Sequence, residues 1–273
     1  MGKIIMTTDF SVSTEELLPY LQDICKAGID EVLLVNVVET KGAEDEVAKD
    51  DMDYLHYFSE VLKEHGINSR ISLRWGNAAE EINNVAKEEG VDFIMLYSKG
   101  RQFLKRTLRG STSLDLARIS VCPLLIEKDV LEVSDDDKPN HFKKIILPTD
   151  FSFASLESLS FIKNTLDYIG EVVFVHVIEE KPGSADDRSR VEHSLRELVD
   201  ELEGFGIISS YYIKEGTASK EVLELCEEIG GSMIIIPKVS GSVVKNMLIG
   251  STAQAIFINA RVPVMMMPAD LER

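Results

Sequence analysis

At 273 residues the chain is about twice the length of a usual single domain, which predicts two domains. Its 44% hydrophobic and 28% charged residues suffice for two apolar cores without disulfide or metal staples. A net charge of −18 repels phosphate backbones and argues against general nucleic-acid binding. No apolar stretch, residues 262–267 included, approaches the ~18 residues of a membrane span.

The start of the chain shows no charged segment followed by an apolar core, so a cytoplasmic protein is expected. Cys25, Cys122 and Cys226 lie far apart without a C-x-x-C pair and read as reduced core residues. Residues 3–7 form a short β-rich run. Residues 14–27 are helical, with Leu17, Leu18, Leu21 and Ile24 on one side. Residues 31–37 are almost continuously apolar, as a parallel strand covered on both faces should be. A second helix is expected over 51–65 and a third strand around 71–73. Ile82, Val85 and Ala86 then mark a helix face, which returns later as Val222, Leu225, Cys226 and Ile229. Residues 91–96 and 233–236 read as buried strands, 111–119 and 251–260 as the last helices, and 124–126 and 264–267 as the last strands.

These pairs of elements express a duplication. Residues 3–11 and 144–152 agree at seven of nine positions, including Thr8-Asp9-Phe10-Ser11 and Thr149-Asp150-Phe151-Ser152. Gly110-Ser111-Thr112 returns as Gly250-Ser251-Thr252, and Gly76 and Pro123 match Gly216 and Pro263. The expected organisation is one domain over 1–132, a linker over 133–141 and a second domain over 142–273. The polar, acidic run 133–140, broken by Pro139, has linker composition, and Asp135–Asp137 reads as a solvated connector. Five strands joined by helical crossovers predict an α/β fold, a doubly wound five-stranded parallel sheet in each half.

Such sheets bind ligands at the carboxyl ends of their strands, where the strand order reverses. That rule selects the segments after strands one and four. The first contains Thr7, Thr8 and Asp9 (Pro148, Thr149 and Asp150). The second runs from Leu96-Tyr97 through Gly100 to Gly110-Ser111-Thr112, and from Ile236-Pro237 through Ser240 to Gly250-Ser251-Thr252. A helix start with free N–H groups favours a phosphate, and glycines let the backbone approach it. Ser or Thr before a helix is equally a plain N-cap. Both readings stand at this point. Lys99, Arg101, Lys105, Arg106 and Arg109 form a basic cluster within the first motif, whereas Lys245 stands alone in the second. By glycine count and charge, the first half is expected to be the better phosphate site. His56, His65, His141 and His193 lack metal-ligand spacing. Met265–Met267 alternate along a strand, His176 reads as a packed or rim residue, and Trp75 as a surface-edge or interface aromatic.

The spaced motifs, Tyr97-x-x-Gly100-x(9)-Gly110-Ser111 with Thr7-Thr8-Asp9 and Pro237-x-x-Ser240-x(9)-Gly250-Ser251 with Pro148-Thr149-Asp150, resemble those of tandem universal stress proteins. The resemblance covers both halves nearly end to end. It implies an adenine nucleotide alpha hydrolase-like fold and an adenine-nucleotide site, AMP or ATP, built from these residues. It also implies that Val37 and Val177 line the adenine pocket. Magnesium would accompany only a di- or triphosphate. Tyr97, Pro237 and Ser240 replace the family's glycines, so a shorter nucleotide such as AMP demands less of the loop.

The resulting expectation is a nucleotide-binding stress-response or regulatory protein. A protein-binding scaffold and a slow nucleotide hydrolase are the alternatives; no G-x-x-x-x-G-K-[ST] loop occurs and no catalytic residue is singled out. The apolar terminal strands 124–126 and 264–267 offer edges that call for cover. Family members commonly dimerise through this strand, so the two are expected to pair within one chain as a pseudo-twofold intrachain dimer. A homodimer of the tandem chain is left open.

Overall fold

The structure, a computed structural model, describes residues 2–39, 44–98, 112–128, 139–165, 169–179, 188–238 and 249–268. The chain divides into two compact units between Pro139 and Asn140. Residues 133–138 of the expected linker lie outside the described residues.

In the first unit β1 (Gly2–Thr7) leads into α1 (Thr14–Lys26), then β2 (Ile29–Val38), α2 (Glu44–Glu64) and β3 (Asn68–Trp75). There follow α3 (Ala78–Glu89), β4 (Phe93–Ser98), α4 (Thr112–Ile119) and β5 (Leu124–Lys128). All neighbouring strands are parallel, in the order β3-β2-β1-β4-β5. Ile4, Ile5 and Met6 of β1 and Ile94 and Met95 of β4 are wholly buried. A central parallel strand has neighbours on both sides and helices on both faces, so every position must be apolar. Leu17, Leu21 and Ile24 put one face of α1 into this core; Ile82, Val85 and Ala86 do the same for α3. Leu18 is only half-buried. Helix α1 begins where the Ser13 hydroxyl accepts from the Glu16 amide (3.3 Å), and α3 where Asn77 accepts from Glu80 (3.1 Å). Gly90 ends α3 in the left-handed conformation (φ 59°), which glycine adopts without a Cβ penalty.

The second unit repeats the plan. Its elements are β6 (Lys144–Pro148), α5 (Phe153–Thr165), β7 (Glu171–Ile178), α6 (Arg188–Gly204) and β8 (Ile208–Glu215). Then come α7 (Ala218–Glu228), β9 (Met233–Pro237), α8 (Ser251–Asn259) and β10 (Val264–Met267). The parallel order is β8-β7-β6-β9-β10. Ile229 caps α7 rather than extending its buried stripe, and Met265–Met267 are all buried in β10. Trp75, half exposed, ends the edge strand β3.

Two elements exceed the span expected from sequence by five residues or more. The third strand, expected around 71–73, spans Asn68–Trp75 and pairs with β2 over eight positions. The second helix begins at Glu44 rather than at residue 51. In each unit the order reverses between strands one and four, so their carboxyl ends open a crevice there.

Candidate functional site

The segment leaving β1 is a tight turn stapled by its own side chains. The Thr8 hydroxyl accepts from the Phe10 amide (3.0 Å), and the Asp9 carboxylate from the Ser11 amide (3.0 Å). Thr149 and Asp150 repeat both bonds at the same distances, to Phe151 and Ser152. These contacts hold Phe10 and Phe151 at φ 59° and 60°, a region that bulky side chains rarely enter. In the second unit the Thr149 hydroxyl also bonds that of Ser155 (3.1 Å), which in turn donates to the Ser152 carbonyl (2.9 Å).

A further clamp comes from β2 and β7. The Asn36 amide donates to the Thr8 carbonyl (2.9 Å), and His176 Nδ1 makes the matching bond to the Thr149 carbonyl (2.9 Å). A carbonyl can only accept, so Nδ1 carries the proton in this bond. Both side chains are buried, at 6% and 7% exposure.

Each crevice is a cavity. That of the first unit, about 140 Å³, brings together Thr7, Thr8 and Asp9 with Asn36 and Val37, and with Leu96, Tyr97 and Thr112 across the reversal. Thr7 ties two of these segments, its hydroxyl donating to the Met95 carbonyl (3.4 Å). The second cavity, about 380 Å³, gathers Pro148, Thr149 and Asp150 with His176 and Val177, and with Ile236, Pro237 and Thr252. Phe151 and Glu179 also line it, over a floor of Val222 and Ile256. The structure thus assembles equivalent sets of the sequence-selected residues twice. Gly250 and Ser251 stand at the start of α8 but outside that wall. Gly100, Gly110, Ser111 and Ser240 lie outside the described residues, as do Lys99, Arg101, Lys105, Arg106, Arg109 and Lys245. The expectation of a better phosphate site in the first half rests on those residues.

Two helix starts face each crevice, and they differ. At α3 and α7 a carboxylate is already present: Glu39 accepts from the Ala78 amide and Glu179 from the Ala218 amide, both at 3.3 Å. An anionic ligand would be repelled there. At α8 the cap is Gly250, with no side-chain cap bond, and its amide donates to the Lys238 carbonyl (2.9 Å). The start of α8 therefore lacks the capping carboxylate that stands at α7.

Sequence reasoning missed the left-handed Phe10 and Phe151, the clamp role of Asn36 and His176, and the Glu39 and Glu179 caps. The i, i+2 spacing of Thr with Phe and of Asp with Ser carried the first signal. Burial pushes the thiols up, to about 12 at Cys122 and Cys226 and about 11 at Cys25, where Asp30 adds to the effect, so none is a ready nucleophile at neutral pH. Among the described residues no group of three or more His, Cys, Asp or Glu side chains is placed to hold a metal, and no helix is long and apolar enough to cross a membrane.

A doubly wound α/β unit with a crevice at its strand reversal, present twice, is the class that fold and site define. The universal stress protein family model matches residues 1–128 and again 141–268. The chain belongs to the universal stress protein family, as two tandem domains. Universal stress protein YxiE of Bacillus subtilis is 37% identical over 81 residues, 30% of this chain; the match spans about half, 55%, of that relative. Universal stress protein MJ0531 of Methanocaldococcus jannaschii is 26% identical over 139 residues, covering 46% of this chain and 82% of the relative. A universal stress protein from Archaeoglobus fulgidus has a crystal structure similar over 98% of this chain and 96% of its own (TM-score 0.74, 23% identity), a likeness of fold.

Proposed function

We propose that the chain binds an adenine nucleotide in the crevice of its α/β units and serves as a nucleotide-responsive stress or regulatory protein. The observation that carries this reading is the duplicated cavity, which joins the Thr–Asp turn to the ends of strands two and four and to the start of the last helix. At about 380 Å³ the second cavity falls within the ~300–1,000 Å³ of small-molecule sites. Asp150 uses one carboxylate oxygen on the Ser152 amide, and the other can accept from a ribose hydroxyl. Val177 offers apolar contact to the base, and the α8 start accepts the phosphate. Asp150 and Glu179 make the wall acidic, so a monophosphate suits it better than a triphosphate without magnesium. Three free cysteines fit a cytoplasmic setting.

Thermal unfolding of the full chain with AMP, ADP and ATP tests the reading. A ligand at one hundred times its Kd stabilises the bound unit by about 2.7 kcal/mol, enough to raise its melting temperature by several degrees. No shift with millimolar AMP, ADP or ATP would refute nucleotide binding.

A further inference from the structure

We infer that the second unit carries the chain's nucleobase-selective site, an aromatic wall in which Phe151, backed by the His176 ring stacked on it, presents the face against which a planar nitrogen heterocycle stacks. The inference rests on the nucleotide reading above and assigns it to particular residues. The two rings lie 4.9 Å apart between centroids and 24° from parallel, and both line the larger cavity. Neither has to be ordered by a ligand. His176 is held by its bond to the Thr149 carbonyl, and the Phe151 backbone by the Thr149 hydroxyl. A preformed aromatic wall loses little conformational freedom on binding, which leaves more of the stacking energy as affinity.

The first unit has the same turn without the wall. Asn36 makes the equivalent bond to the Thr8 carbonyl but brings no ring. Phe10 packs on Tyr54 of α2, with centroids 4.5 Å apart and planes at 56°, and is not among the residues lining the first cavity. That cavity, about 140 Å³, is under half the volume of the second and below the usual range for small-molecule sites. The duplicated halves therefore differ in the chemistry that selects a base, and the second is favoured for it.

The test is calorimetric titration of the full chain with AMP and with ribose 5-phosphate, a probe that keeps sugar and phosphate but lacks the base. Phe151→Leu removes the ring. His176→Asn imports the first unit's side chain and keeps a donor for the Thr149 carbonyl. Phe10→Leu is the control. Base–aromatic stacking predicts that Phe151→Leu weakens AMP about tenfold and His176→Asn about fivefold, with ribose 5-phosphate changed less than about twofold. The adenine H2 and H8 resonances of bound AMP should shift upfield in the wild type and lose that shift in Phe151→Leu. If the wild-type chain binds no AMP, the nucleotide reading fails and the inference with it. If the wild type binds AMP while Phe151→Leu and His176→Asn bind it equally well, the inference alone is overturned. It is likewise overturned if Phe10→Leu takes the loss, or if both probes weaken together. Should Phe151→Leu unfold, judged by far-UV circular dichroism, His176→Asn decides between these outcomes.

Discussion

Replacing Thr149 by Val tests whether side-chain staples hold the turn that shapes the cavity. The two side chains have nearly the same shape, so the loss is that of the hydroxyl. Thr149 is 8% exposed, and its hydroxyl accepts from the Phe151 amide at 3.0 Å while pairing with Ser155 at 3.1 Å. Because the Ser155 hydroxyl donates to the Ser152 carbonyl, Thr149 donates to Ser155. The substitution thus deletes two bonds and strands the amide of a residue at φ 60°. Each bond contributes about 1 kcal/mol net, and a stranded donor adds to the cost, so about 2–3 kcal/mol is expected. Thr8→Val is the internal comparison. Among the described residues the Thr8 hydroxyl bonds only the Phe10 amide, at 3.0 Å, so its loss should cost about 1 kcal/mol less. Urea unfolding followed by circular dichroism measures both units, and the fluorescence of Trp75, the sole tryptophan, follows the first. Thr149→Ser should restore most of the lost stability. A Thr149→Val cost within about 0.5 kcal/mol of that of Thr8→Val would refute the contribution assigned to the Ser155 bond.

Gly170→Ala should destabilise the second unit by about 1–3 kcal/mol in the same urea assay, because the added Cβ would crowd the Lys143 carbonyl oxygen. At pH 8 a thiol reagent should label native Cys25, Cys122 and Cys226 far more slowly than the urea-unfolded chain, since burial pushes all three thiols up; rapid native labelling of Cys122 or Cys226 would contradict their burial. Hydrogen bonds from the Arg70 guanidinium first, and then from Lys3, hold the Glu89 carboxyl down at about 2. A depressed carboxyl stabilises the fold above its ordinary value near 4.5, and that contribution drains away as pH falls from there towards 2. The pair is partly exposed, so the effect is below about 1 kcal/mol, and Glu89→Gln should flatten the acid limb of the melting-temperature profile by that much.

The sequence disclosed the parts of the fold whose environment forces one composition. Central strands buried on both faces are unbroken apolar runs, so β1, β4 and β9 could be placed to within two or three residues. Edge strands have one neighbour and a half-exposed surface. In β3, Arg70, Ser72 and Arg74 alternate with Ile71, Leu73 and Trp75, and none of the eight residues is fully buried, which hid its length. The start of α2 was hidden for a related reason. Glu44, Asp45 and Glu46 carry no apolar periodicity, and a helix start without that signal reads as loop.

The site was legible where the two halves agree and illegible where they differ. Identity at Thr8-Asp9-Phe10-Ser11 and Thr149-Asp150-Phe151-Ser152 located the turn, but it gave no sign that the phenylalanines would point to different neighbours. That difference arises outside the motif. Tyr54 lies on α2, and His176 stands where the first half has Asn36. The position ending the second strand needs a donor for the turn carbonyl, and both an amide and an imidazole supply it at 2.9 Å. The constraint fixes one hydrogen bond and leaves the rest of the side chain open to change. A duplicated chain can thus keep its scaffold in both copies while only one copy gains a ring stacked on the phenylalanine of the turn. Within a repeat, the residues that hold the backbone are found by looking for identity. Those that select the ligand are found among the substitutions which preserve that hold.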